Sequence, residues 1–419
     1  MIASVALFIY QGYDELTRVS PYVNRFPPEV ATQLRRALYF TEVTLDPARA
    51  LEEYKLALKV AIEKGLHPYS DEVVGIKIQV AAMLEKAGLI KPSIDVLERT
   101  KKNSLEWIKM SREQASTAGP ADYKEEARKR KKALAEAAVA RGEAVTVPAK
   151  TGDIMVTDED VQDTRKRMED FARYEERQRG VNLKRVVGIE LKLAELYASD
   201  HIQEDKKAEE CQIAAVELCL KELQRRQALG LPIGGGRWID SEAWLTLTEM
   251  ATALVELASG YIEKGSYGLA LPLYLRALDF ICQEEDGSPT CKQVELLNGV
   301  STAMAGQAQM LPSLAKAGER RQQQLSSPAT PSRENIINAA KQWAQKALDV
   351  ASTIKPPVRD EGCDSSCVAA TYNLGELAMM ANQRNEATKR YREAESLARA
   401  TGFEDGVTRA QAALKRMRS

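Results

Sequence analysis

The side chains of this chain with the greatest chemical potential are its six cysteines, which fall into three sequence pairs: Cys211/Cys219, Cys282/Cys291 and Cys363/Cys367. Cys363 and Cys367 stand four apart, so one helical turn would bring both thiols to one face. Redox chemistry there needs a thiol whose pKa is lowered by a helix N-terminus or a cation. Cys367 opens a helical pattern and Arg359 is close in sequence, but Asp360, Glu361 and Asp364 oppose the effect. A structural staple is therefore preferred to a thiol oxidoreductase. Cys282 and Cys291 flank the polar run QEEDGSPT, and Cys363 follows Glu361-Gly362. Polar loops are poor places for inert thiols, so Cys282, Cys291, Cys363 and Cys367 are candidates for disulfides, with free thiols as the alternative. Bridging would require an oxidising compartment. Cys211 and Cys219 share a face of one helix and read as buried free thiols.

Other chemistry finds little purchase. His67 and His201 are the two histidines, far apart in sequence. No Gly-x-Ser-x-Gly, His-Glu-x-x-His or Walker loop occurs. Gly234-Gly235-Gly236 precedes a helix, but no Gly-Lys-Ser/Thr follows it, so it reads as a connector. The sequence thus assigns no catalytic residue, no cofactor and no metal. Lys+Arg number 59 against 60 Asp+Glu, which leaves no global field to attract nucleic acid. The run Arg128-Lys129-Arg130-Lys131-Lys132 is embedded among acidic residues and reads as a solvated helix face rather than a nucleic-acid site.

The elements that would position any site are helices. In Ala243 to Cys282, Leu254, Leu257, Ala258 and Tyr261 share one helical face. Lys264-Gly265-Ser266 stops that helix, with glycine free to take positive φ. A second helix carries Ala270, Tyr274 and Ala277. This order of small and large residues resembles the tetratricopeptide (TPR) helix-turn-helix unit. It recurs as Ala50/Tyr54/Ala57, after the expected N-cap Asp46 and the first-turn Pro47. Ser93/Leu97/Thr100, Ala208/Ala215/Cys219, Ala340/Ala344/Ala347 and Ala387/Tyr391/Ala394 are further copies, with Gly375 at a tight crossing. No window alternates as a strand would. The fold class expected is all-α: a TPR-like α-solenoid of about six helix pairs with inserts and a C-terminal capping helix. Residues 1–28 would be an apolar segment and connector, 29–110 the first two pairs, 111–180 a charged insert, and 181–419 pairs three to six with the cap.

A stack of this kind usually binds along the faces of its first helices. The candidate groove residues are Arg35, Tyr39 and Glu42, then Val255, Ser259 and Ile262, then Tyr372, Glu376 and Met379. They lack the Lys and Asn of a carboxylate clamp, and a mixed apolar groove suits an extended or unfolded segment. Ordinary packing is the alternative reading of the same face. MIASVALFIY at Met1 to Tyr10 is too short to span a bilayer. It reads either as a packed helix or as the end of a membrane helix whose earlier part lies outside this chain.

Arg25 to Ala61, RFPPEVATQLRRALYFTEVTLDPARALEEYKLALKVA, and Gly65 to Lys86, GLHPYSDEVVGIKIQVAAMLEK, resemble the fungal TPR adaptor subunit of the mitochondrial i-AAA protease. Cys363 to Glu376, CDSSCVAATYNLGE, is similar too. The resemblance takes in most helix pairs but not the insert. It implies a non-enzymatic adaptor that binds unfolded membrane-protein substrates and hands them to an AAA protease alongside a second adaptor subunit. It also implies an inner-membrane anchor near the N-terminus, with the TPR domain in the intermembrane space, where the loop cysteines could be bridged. The rival readings are a TPR scaffold for a folded partner and an intermembrane-space thiol oxidoreductase.

Overall fold

A computed structural model describes residues 23, 25–117, 123–141, 156–231, 233, 244–284, 287–311 and 332–418. Every regular element among them is a helix, so the all-α expectation holds. The chain divides into two compact units, Met1–Gln203 and Glu204–Ser419.

In the first unit, α1 (Pro28–Glu42) and α2 (Pro47–Glu63) form a hairpin. Asp46 caps α2 by accepting from the Arg49 amide, and Pro47 takes the first helical position, where its missing N–H costs nothing. Ala50 and Ala57 are fully buried, letting the α1 backbone approach, while Tyr54 fills the space between them. The Tyr54 hydroxyl, in that apolar setting, meets the Thr41 hydroxyl at 3.4 Å. The second hairpin joins α3 (Asp71–Lys86) to α4 (Ile90–Thr117). Ser93 stands where other hairpins use alanine, and its hydroxyl donates to the Ala81 carbonyl at 2.8 Å. That bond satisfies a side chain with no exposure to water.

Past Ser111 the helix continues to Thr117, and then come α5 (Tyr123–Ala140) and α6 (Asp158–Ala198). A capping box of Thr157 and Asp160 starts α6, which runs unbroken through Gly180. α6 lies against α3 and α4, and α5 against α6. Polar contacts hold α6 in place as much as apolar ones. Arg179 donates to Ser111 at 2.7 Å, Asn182 to the Tyr69 carbonyl, Lys192 to Glu85 at 2.8 Å, and Lys101 to the buried Glu190 at 3.3 Å. The basic run of α5 meets acidic partners: Arg130 pairs with Asp163 at 2.8 Å and Lys131 with Asp160 at 2.7 Å.

The second unit contains α7 (Asp205–Leu229), α8 (Leu247–Glu263), α9 (Tyr267–Glu284), α10 (Cys291–Met310), α11 (Arg333–Thr353), α12 (Glu361–Met380), α13 (Arg384–Ala400) and α14 (Glu404–Arg418). Three hairpins follow one another, α8–α9, α10–α11 and α12–α13; α7 lies on α8, and α14 on α13 and α12. The pair expected over Leu183 to Arg226 spans the division between units, with its helices belonging to α6 and α7. Gly265 takes φ +70° between α8 and α9, the conformation a residue with a Cβ avoids. Ala270, Ala277, Ala340, Ala344, Ala347, Ala387 and Ala394 are all fully buried. Glycines at the crossings meet aromatic rings. A methyl added to Gly375 would come within 2.6 Å of the Tyr391 ring, and one added to Gly299 within 2.7 Å of Tyr274. Cys211 and Cys219 are buried and not in a disulfide, as their shared helical face predicts, and burial pushes Cys219 up to about 12.

The apolar stretch Met1–Tyr10, the glycines at 234–236 and the long insert after Leu311 lie outside the described residues. Among the described residues, no helix is long and apolar enough to cross a membrane.

Candidate polypeptide-binding groove

The N-terminal halves of α10 and α12 lie side by side, and α14 folds across the face of α12. Together they enclose a groove of about 280 Å³ lined by Asn298, Ser365, Ser366, Val368, Ala369, Tyr372, Asn373, Phe403, Gly406 and Arg409. Its polar centre is built from two helices. Asn373 Nδ2 donates to Asn298 Oδ1 at 2.8 Å and to Thr302 Oγ1 at 3.0 Å. Thr302 is itself held by its bond to the Asn298 carbonyl, one turn earlier, at 3.0 Å. The remaining half of each carboxamide, an acceptor on Asn373 and a donor on Asn298, matches the alternating polarity of a peptide backbone. Val368, Ala369, Tyr372 and Phe403 supply apolar contact beside it, and Arg409 supplies a cation.

Beside the groove, the Tyr372 hydroxyl donates to Glu376 at 2.8 Å, and Arg416 reaches the same carboxylate at 3.1 Å. The Tyr372 and Tyr391 ring centroids lie 5.4 Å apart. Burial raises both phenols, and the neighbouring Glu376 charge raises them further. Both phenols therefore stay protonated at physiological pH, serving as a firm wall rather than an acid or base.

The residues picked from sequence are placed variously. Tyr372 lines the groove. Glu376 and Met379 lie on the same helix, Glu376 bound to Tyr372 and Arg416, and Met379 against the α12–α13 core. Val255 is buried, and the Ser259 hydroxyl bonds the Tyr274 hydroxyl at 3.1 Å; Ile262 is half-buried. In the first unit, Arg35 and Tyr39 are exposed, and Glu42 pairs with Lys86 at 2.5 Å. Asn298, Asn373, Phe403 and Arg409 escaped the sequence reading. The usable signal was the asparagine beside a crossing glycine, Asn298-Gly299 and Asn373-Leu374-Gly375, in two first helices.

None of the six cysteines is in a disulfide, and Cys291 is found near Cys363 and Cys367 rather than near Cys282. Because α10 and α12 begin side by side, Cys291 packs against the apolar cluster that holds Cys363 and Cys367. Cys282 is exposed at the end of α9. Burial raises Cys363 to about 12 and also raises Cys367, with Arg359 opposing it in both. The raised direction agrees with the sequence reading, but burial, not the acidic neighbours, is the main cause. Among the described residues, no group of three or more Cys, His, Asp and Glu side chains is arranged to hold a metal ion.

No family model matches the chain. A TPR repeat-containing protein of Schizosaccharomyces pombe is 23% identical over 404 residues, covering 95% of this chain and 80% of that protein. Among solved structures, BtubC from P. vanneervenii is 15% identical with a TM-score of 0.34, covering 73% of this chain and 92% of its own. Yeast Tom70 is 10% identical with a TM-score of 0.15, covering 99% and 94%. Scores this low carry no weight beside the hairpins themselves. Those hairpins, with their alanine and glycine crossings, and the fission-yeast relative together support a TPR-like repeat architecture.

Proposed function

We propose that this protein is a non-enzymatic adaptor that binds unfolded or extended polypeptides through the α10–α12–α14 groove and brings them to a mitochondrial inner-membrane AAA protease. The observation that carries the binding half is the Asn298–Asn373 pair flanked by Tyr372 and Phe403. Backbone-directed carboxamides beside an apolar wall favour an extended chain without demanding one sequence. The protease, the second adaptor subunit and the intermembrane-space location rest on the resemblance of Arg25 to Ala61, Gly65 to Lys86 and Cys363 to Glu376 to the fungal adaptor subunit.

Binding is tested by fluorescence anisotropy with a labelled, reduced and carboxymethylated lactalbumin. Asn373→Ala and Arg409→Ala are each expected to weaken binding about fivefold to tenfold, near 1 kcal/mol. Equal affinity for native lactalbumin would favour a scaffold for folded partners. The recruitment half is tested by affinity purification from a mitochondrial fraction, where failure to recover any AAA protease would overturn it.

A further inference from the structure

Where α10 and α12 begin, three thiols and a guanidinium converge from segments far apart in sequence. Cys291 is the first residue of α10 and is half-buried. Its thiol donates to the Val358 carbonyl at 3.7 Å, and its side chain packs against the cluster that holds Cys363, in the first turn of α12. Cys363 is fully buried, one turn before Cys367. Arg359 ties the corner together. It donates to Cys367 Sγ at 3.7 Å and to the Ala351 carbonyl at 2.7 Å, and it pairs with Asp364 at 2.6 Å. Asp360 caps α12 through the Cys363 amide at 2.7 Å, fixing the turn that carries Cys363.

This geometry discriminates among the bridges that the thiols could make. Cys363 and Cys367 are one helical turn apart, which sets their Cβ atoms about 5–6 Å apart, beyond the roughly 3.5–4.5 Å that a disulfide spans. Bridging them would require α12 to unwind. Cys282 is exposed, whereas Cys291 is turned toward Val358 and packs against the cluster that holds Cys363. Cys291 and Cys363 meet from two helices in one cluster, with one partner open to reagent and the other enclosed.

We propose that Cys291 and Cys363 form a reversible thiol–disulfide modification site that takes low-molecular-weight disulfides of the glutathione class and closes into a bridge between α10 and α12. Cys291, as thiolate, attacks one sulfur of the donor disulfide; a Cys291–donor bond forms and the donor S–S bond breaks, releasing one donor thiolate. Cys363, as thiolate, then attacks Cys291 Sγ, forming the protein bridge and releasing the second donor thiolate. The two thiols are oxidised, the donor is reduced by two electrons, and the two protons leave on the two donor thiols. Burial holds Cys363 protonated, which makes closure the slow step and Cys291 the point of entry. The site stands independently of the groove reading, since it needs no polypeptide ligand.

The test uses the full chain incubated with oxidised glutathione, quenched by alkylation, digested without reductant and mapped by mass spectrometry. A peptide pair joined through Cys291 and Cys363 is expected, persisting in Cys282→Ser and Cys367→Ser and lost in Cys291→Ser. Cys291→Ser is the safer variant, because serine is at home at a helix start and this side chain is half-exposed, whereas Cys363→Ser alters a buried site. Oxidation should also raise the melting temperature by at least about 5 °C, reversed by dithiothreitol and not seen in Cys291→Ser. A Cys282–Cys291 or Cys363–Cys367 bridge, a glutathione adduct on Cys291 that never closes, or no reaction over hours would each overturn the proposal.

Discussion

At Gly375 the width of one side chain sets the spacing between two helices. A methyl there would lie 2.6 Å from the Tyr391 ring, which is buried. Gly375→Ala should therefore destabilise the protein by about 2 kcal/mol, read from urea unfolding followed by circular dichroism. The same substitution at Gly188, on the exposed side of α6 with nothing within 4 Å, should instead stabilise by about 0.5–1 kcal/mol through helix propensity. The contrast separates crossing geometry from intrinsic preference. Residues of this kind were legible in the sequence, because a repeating order of alanine, glycine and tyrosine has few other uses in a helix pair. Asn298 and Asn373 were not, because their partnership depends on two helices starting in register.

Among the helices, α5 and α6 present the clearest case of an element held by charge. The Arg130–Asp163 and Lys131–Asp160 pairs join them. Asp160 and Asp163 are both held below the usual carboxylate range, chiefly by those hydrogen-bonded cations. A depressed folded-state pKa contributes stability that is present above the unfolded value of 3.8 and is lost as pH falls through the lower folded value. Amide exchange across α5 is therefore expected to rise below pH about 4 while α1 to α4 stay protected. At neutral pH, molar salt should loosen α5 in part, because these pairs are exposed and screened. Unchanged α5 protection under both conditions would show that apolar contact carries the docking. Sequence could mark this stretch as charged and helical, yet not that its basic run faces Asp160 and Asp163, 29 and 33 residues further on.

Over the whole molecule, one chemical habit recurs: the tyrosines that fill helix crossings are buried phenols in both units. Tyr54, Tyr274 and Tyr391 all have pKa values raised above 10.0, with burial as the largest cause. Because the folded state keeps these protons more tightly, their contribution is complete below pH 10 and is lost as pH rises toward the folded values. Cooperative unfolding above pH about 10.5 is expected, monitored by circular dichroism and by phenolate absorbance. Tyr391→Phe should move the midpoint to higher pH even if it lowers stability at neutrality. The hairpin architecture was readable because each pair repeats a local pattern. The division at Gln203 was not, since it depends on which neighbours α6 and α7 choose rather than on any change in composition.

The thiol corner and the groove share a wall. Ser365 and Ser366, which line the groove, lie between Cys363 and Cys367, and Asn298 is two helical turns along α10 from Cys291. At about 1.5 Å per residue, a dye coupled to Cys291 in a Cys282→Ser background would sit roughly 10 Å from the carboxamide pair. The protein thus carries its own attachment point for an optical sensor. Emission from that dye would report occupancy of the groove in real time, with every residue that lines it left untouched.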